Sequence, residues 1–361
     1  MPTIAPAPTA PGRGLFGTMP DGTSVEWVEL VNAKGAAARL IGLGASLQSL
    51  WMPDRDGVLA DIVLGHDDLA TYLANRTFLG AIVGRYANRI AGGRFDLDGK
   101  TFLTARNDGP NCLHGGMKGL DLIPWTLVSH SATEALFTCR SADGEEGFPG
   151  TLDINARYTL GDDNSLTVTL EAATDAPTVV NLTNHAYFNL GGAVAGGDIL
   201  GHELTIAAGR YTPVDANLIP TGELRAVAGG VFDFRTPHVI GTRIRDGGEA
   251  QLVLARGYDH NFVLNEGGGA EPAFAARLTD PVTGRTLDLL TTEPGVQFYT
   301  GNFLPGNLPG KGGRLYRQGD ALCLEPQKFP DSPNQPAFPT ARLEPGQLYR
   351  HVSIYRFGVT A

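Results

Sequence analysis

The chain has 361 residues, 48 of them glycine and 24 proline, and its hydrophobic fraction is 42%. That apolar content is enough for a packed core and excludes disorder, while a Gly and Pro share of about a fifth favours many turns over long helices. The formal net charge is −10 and no Lys/Arg-rich run occurs, which argues against a nucleic-acid partner.

The N-terminal stretch MPTIAPAPTAPGRG lacks a basic start and a continuous apolar run, so it makes a poor signal peptide. Residues 1–15 are expected to be a flexible Ala/Pro-rich arm and residues 16–361 a single β domain. No apolar run approaches the ~18 residues that span a bilayer, so no membrane partner is expected. Cys112, Cys139 and Cys323 are odd in number and lack a CxxC pair. Reduced thiols in a cytoplasmic protein are therefore expected, not a disulfide framework.

Strand signals recur along the chain. They fall at 24–32, 36–51, 94–97, 100–104 and 134–140. In TLDINARYTL, Leu152, Ile154, Ala156, Tyr158 and Leu160 point one way, and Asp153, Asn155 and Arg157 the other. SLTVTLEA (165–172) alternates in the same manner, and GDDN (161–164) between the two reads as a hairpin turn. Asp98-Gly99 suits a type I′ turn, where both central residues need positive φ. Further candidates lie at 202–207, 252–256, 261–264, 273–279, 286–291, 296–300 and 347–358. The one helical signal is DDLATYLANR (67–76), with Asp67 or Asp68 as cap. Many short strands, little helix and no internal repeat predict an all-β fold, a large sandwich or barrel.

Chemistry-bearing residues cluster in loops far apart in sequence. GRYANRIAGGRF (84–95) offers Asn88 and Arg89 as donors to ligand hydroxyls, though a turn with solvated arginines would look alike. In NCLHGG (111–116) the glycines after His114 permit close backbone approach. NLTNHAYFNLGG (181–192) sets His185 among amides and aromatic rings, a surface suited to sugar hydroxyls and to the C–H face of a pyranose. In GYDHNF (257–262), Asp259 and His260 are adjacent and face opposite ways on a strand, so one of them enters a site. Glu325 ends the apolar run Ala-Leu-Cys-Leu, where burial raises a carboxylate's pKa and its strength as a base. The tail FPDSPNQPAFP reads as a rigid wall. His114, His185 and Glu325 could in principle form a zinc set, but none shares the close spacing of HExxH or HxH, so no metal is expected. No GxSxG, P-loop or GxGxxG unit occurs, which removes support for acyl transfer, nucleotide hydrolysis and hydride transfer.

Together with EEGFPG (145–150) and GVQFYTGNFL (295–304), these segments resemble the aldose 1-epimerase, or galactose mutarotase, family, in the family's order from about Phe16 onward. The resemblance implies a large antiparallel β-sandwich of the mutarotase type, a shallow sugar cleft and no cofactor. It implies Glu325 as catalytic base, His185 as proton donor and His114 as a further active-site histidine. It also implies Arg89 and Asp259 as sugar contacts, with Asn88 and Gln297 as additional hydroxyl contacts. The partner is then a free monosaccharide whose α and β anomers interconvert, and nothing in the sequence chooses between monomer and homodimer. Ring opening needs a base at the C1 hydroxyl and an acid at the ring oxygen, roles that suit Glu325 and a protonated His185. The rivals are a hexose-6-phosphate epimerase using Arg85 or Arg94, a non-catalytic sugar-binding protein, and a polysaccharide-cleaving enzyme with paired carboxylates.

Overall fold

The computed structural model describes residues 6–360. Three antiparallel sheets dominate. A five-stranded meander runs Gly12–Thr18, Ser24–Val31, Ala37–Ile41, Ser46–Pro53 and Leu59–Asp61. A nine-stranded sheet is built around Leu152–Leu160, Ser165–Thr174 and Tyr349–Val359. A six-stranded sheet orders Tyr187–Phe188, Leu322–Gln327, Gly295–Tyr299, Asp259–Leu264, Ala208–Tyr211 and Arg225–Ala226. All three contribute side chains to one apolar core that includes Val28, Tyr158, Phe262 and Phe298. An all-β fold with two short α-helices among the described residues agrees with the sequence pattern.

The alternation read in 152–160 is the observed burial pattern, with all five apolar residues in the core. Its hairpin closes at 161–164, where the Gly161 N–H donates to the Ser165 carbonyl at 2.7 Å. Asp98 and Gly99 adopt φ of 51° and 74°, as the two-residue turn requires.

Two expectations need correction. The expected arm of residues 1–15 is too long: its last residues form the strand Gly12–Thr18, paired with Ser24–Val31. The cause is Trp27, whose ring lies so close that a Cβ at Gly14 would sit 2.9 Å from it. The glycines let the strand cross that ring. Residues 1–5 of the arm lie outside the described residues. The strand expected at 252–256 is instead the helix Ala250–Ala255. Glu249 caps it by accepting from the Gln251 N–H, and Arg256 ends it in the left-handed region. Leu252 and Ala255 are buried while Val253 and Leu254 face out, a helical spacing.

The other expected helix is Leu69–Ala74, with Asp68 as its N-cap, accepting from the Thr71 N–H at 2.8 Å.

Candidate active site

The six-stranded sheet positions the chemistry. Phe262, Phe298 and Leu324 point from it into the core. Period-2 alternation turns Asp259, Gln297, Tyr299, Cys323 and Glu325 to the opposite face. Register then makes a grid. Asp259 pairs with Tyr299, Tyr299 with Cys323, and Cys323 with Tyr187. In the next row Asn261 pairs with Gln297 and Gln297 with Glu325. Direct cross-strand neighbours stand about 4.5–5.5 Å apart, so side chains distant in sequence meet in one patch.

A cleft of about 520 Å³ opens over this patch. His114, His185, Asn88, Arg89, Asp259 and Glu325 all line it. Gln297 does not. It lies behind Asp259, its side-chain N–H₂ donating to Asp259 Oδ1 at 2.7 Å. One N–H of the Gln297 amide is thus engaged by the carboxylate. Of the adjacent pair, Asp259 faces the cleft, whereas His260 is packed against Tyr211 and Phe232.

His185 is held on every side. Its N–H donates to the Ala81 carbonyl at 2.8 Å, and its carbonyl accepts from the Gly80 N–H at 3.0 Å. Gly80 has φ of +73°, and a Cβ there would lie 2.1 Å from the Leu47 carbonyl oxygen, so glycine is required. The imidazole stacks on Tyr187 at 4.9 Å between centroids and on Phe78 at 5.8 Å. The asparagines of its segment serve the backbone and not a ligand. Asn184 donates to the Gly80 carbonyl, Asn181 to that of Ala87 and Asn189 to that of Asp320.

His185 Nε2 faces Glu325 Oε2 at 3.5 Å, with both side chains buried. Glu325 Oε2 makes no hydrogen bond among the described residues. Burial drives the two groups in opposite directions: it pushes Glu325 well above the ordinary carboxylate value and His185 down to about 4. Burial thus works against the expected protonated His185 and favours the proton on the Glu325 carboxyl.

His114 lies 5.1 Å from His185, ring centre to ring centre. Its Nδ1 accepts from the Asn88 N–H at 3.1 Å, and its own N–H donates to the Asn88 carbonyl at 3.1 Å. Burial holds this ring well below the ordinary histidine value, so it is neutral and carries its hydrogen on Nε2. Both residues sit at positive φ, 63° for Asn88 and 49° for His114, strain of the kind concentrated at functional sites.

Ligand atoms of His114, His185 and Glu325 lie within 4.8 Å of one another. The set does not fit a resident metal: an Nε2 that keeps its hydrogen has no lone pair to give. Arg89 is fixed by Asp108, which accepts from its Nε at 2.7 Å, and its Nη1 lies 3.8 Å from Asp259. Burial raises Asp259, and Arg89 works against that rise.

Sequence reasoning missed Arg76, Phe78 and Asp108, which also line the cleft. The Arg76 guanidinium covers the Phe78 ring at 4.8 Å and pairs with Asp121. Asp108 could have been suspected from the turn-dense NDGPN, whereas nothing local marks Phe78.

Comparison with known proteins agrees. The family model described as aldose 1-epimerase matches residues 26–356. The galactose mutarotase of Bos taurus is 44% identical over 348 residues, covering 96% of this chain and 98% of that protein. The aldose 1-epimerase of Escherichia coli K12 is 39% identical, covering 94% and 96%. Among solved structures, an aldose epimerase homologue from C. elegans superposes with a TM-score of 0.85 at 32% identity, covering 93% of this chain and 99% of that one. Fold, cleft and sequence similarity lead to one conclusion: the chain belongs to the aldose 1-epimerase family.

Proposed function

We propose that the protein interconverts the α and β anomers of free aldoses, D-galactose and D-glucose among them, with Glu325 and His185 as its acid–base pair. The observation that carries the assignment of roles is the 3.5 Å approach of two buried, oppositely shifted groups on the cleft floor. The two sugar oxygens that exchange protons are both bonded to C1, so an acid and a base must be neighbours to serve them.

The proton count closes. Sugar hydroxyls entering the cleft solvate the carboxylate, and the shared proton passes from Glu325 to His185. Glu325 takes the proton from the C1 hydroxyl while His185 Nε2 gives its proton to the ring oxygen. The C1–O5 bond breaks and the aldehyde forms. Rotation about C1–C2 presents the other carbonyl face. The C5 hydroxyl attacks it, returning its proton to His185, and Glu325 returns a proton to O1. Neutral His114 donates its Nε2 hydrogen to a sugar oxygen beside C1 throughout. Asp259 accepts from hydroxyls, and Asn88 and Arg89 donate to them. Each positioned acid or base contributes on the order of 10²–10⁴-fold.

The phosphate rival finds little support. Arg85 is buried and donates to the Phe148 carbonyl, and neither it nor Arg94 lines the cleft. The cleft arginines, Arg76 and Arg89, are paired with Asp121 and Asp108.

We also read the chain from Gly12 onward as one catalytic unit, because the three sheets share a core and the site draws on residues from Asn88 to Glu325. Cysteines that are all free fit a cytoplasmic protein. Among the described residues no helix is long and apolar enough to cross a membrane.

Two-dimensional exchange NMR on equilibrated aldoses tests the activity. Exchange cross-peaks between the anomeric protons of galactose or glucose, present only with enzyme, are expected. Their absence with every free aldose, with exchange restored for a sugar phosphate, would overturn the reading.

A further inference from the structure

The turn that holds the His185 backbone also brings a ring against its side chain. The Gly80 N–H donates to the His185 carbonyl and the His185 N–H to the Ala81 carbonyl, and Phe78 stands two residues before Gly80. Phe78 has φ of +59°, a conformation in which a bulky side chain is strained. The fold bears that strain and gains a ring in a particular place. The Phe78 ring lies 19° from parallel to the His185 imidazole at 5.8 Å, and 4.6 Å from the His114 ring.

Arg76 fixes the ring. Its guanidinium carbon stands 4.8 Å from the Phe78 centroid. Its Nε and Nη2 donate to the two oxygens of Asp121 at 2.8 and 2.7 Å, and its Nη1 donates to the Gly116 carbonyl, in the loop that carries His114. A cation tethered in this way stays over the aromatic face. Tyr187, the other ring stacked on His185, is buried in the sheet. Phe78 is half-buried and lines the cleft, so it is the part of the stack that borders solvent.

We propose that Phe78 is a positioning residue, the solvent-side wall of the active-site histidines: clamped by Arg76, its ring keeps bulk water off the His185 imidazole, so that His185 exchanges protons with Glu325 and the bound sugar and not with the medium.

The other neighbours of His185 have different tasks. Glu325 Oε2 faces Nε2 at 3.5 Å, Cys323 Sγ lies 3.4 Å from Nδ1, and the ring also engages its own backbone carbonyl. Tyr299 and His114 meet it edge-on at 6.4 and 5.1 Å. The cations Arg76 and Arg89 bear on the adjoining His114. Phe78 has neither charge nor side-chain hydrogen bond, so what it contributes is the exclusion of water. Burial holds His185 down to about 4. An imidazolium that water cannot solvate is a stronger acid toward the sugar's ring oxygen than one that it can.

The inference rests on the anomer-interconversion reading for its consequence in catalysis, and its test has a readout of its own. The imidazole C–H signals of His185 are followed by NMR from neutral to acid pH in wild type, Phe78→Ala, Phe78→Gly and Phe78→Tyr. Tm and the pH dependence of kcat/KM on galactose are recorded for each. Wild-type His185 is expected to take up its proton well below the ordinary histidine value of about 6.5. Loss of the ring in the Ala and Gly variants raises the proton affinity of His185 by about tenfold, carries the acid limb of kcat/KM upward with it and lowers kcat. Tyr keeps the ring and titrates as wild type does. Glycine is at ease at φ +59°, so the Gly variant removes the ring together with the backbone strain and decides the matter where Ala fails to fold. A His185 titration that stays at its wild-type position in the folded ring-less variants overturns the proposal. So does a Tyr variant shifted as far as Ala at unchanged Tm, or a wild-type His185 that titrates at the ordinary value. A wild-type protein that leaves the anomer equilibration rate unchanged overturns the functional reading instead, while the NMR titration still judges the wall.

Discussion

The Nδ1 of His114 accepts a hydrogen bond from the Asn88 backbone N–H at 3.1 Å, and this contact fixes what the histidine can do. A neutral ring with Nδ1 occupied presents an N–H to the cleft and cannot act as a metal ligand there. Dialysis against a strong chelator is accordingly expected to leave kcat and KM unchanged. Loss of activity restored by added zinc would show that the histidine adopts the other tautomer.

The pH profile follows from the single proton shared by Glu325 and His185. The pair is active with one proton and inactive with two or none. His185 is lowered to about 4 by burial, so the second proton is taken up only near that pH. Glu325 is raised well above the carboxylate range, so the single proton is lost only on the alkaline side of it. The expected kcat/KM profile has its acid limb displaced below the ordinary histidine value of about 6.5 and its alkaline limb above the ordinary carboxylate range. An acid limb centred at that ordinary value would mean that burial does not control the ring.

Asp259 and Gln297 should separate binding from chemistry. Hydrogen bonds to a charged group are worth about 1.5–3 kcal/mol, so Asp259→Ala is expected to raise KM by about 10–100-fold with a smaller change in kcat. Gln297 acts through Asp259, its amide 2.7 Å from Oδ1, so Gln297→Ala should raise KM less than Asp259→Ala does. Steady-state kinetics on galactose measures both. A larger KM effect at Gln297 would place its amide on the sugar after all.

The loop carrying His114 depends on a glycine. Gly115 has φ of +86°, and a Cβ there would fall 1.8 Å from the Gly84 carbonyl oxygen. Gly115→Ala is expected to destabilise the fold by at least about 1–3 kcal/mol, read as a drop in Tm. An unchanged Tm would mean that the 84 and 115 segments are not in contact.

Much of the architecture was legible in the sequence because half-buried strands write their two faces into alternate residues, as 152–160 does. The helix Ala250–Ala255 was not, since six residues rich in Leu and Val fit either period. The first strand hid in a glycine-rich stretch whose partner, Trp27, is visible only once the two strands pair. Glu325, His185, His114, Asn88, Arg89 and Asp259 could be gathered into one cleft through a family resemblance. Their spacing alone could not do so, because the pairing that joins Asp259, Tyr299, Cys323 and Tyr187 is entirely long-range. For the same reason Phe78, stacked on His185 and tilted against His114, carried no local mark. The depth of Gln297 behind Asp259 is a matter of side-chain reach, which alternation does not encode.

The most direct measurement is polarimetry on freshly dissolved α-D-galactose, with wild type, Glu325→Gln, His185→Asn and the double variant at matched, folded concentrations. Wild type should hasten the approach to an unchanged final rotation. Each single variant should lose on the order of 10²–10⁴-fold in kcat, and the double variant little more than either, because the two groups pass one proton between them. A Glu325→Gln enzyme as fast as wild type, or losses that multiply fully in the double variant, would show that the two residues do not act as a pair.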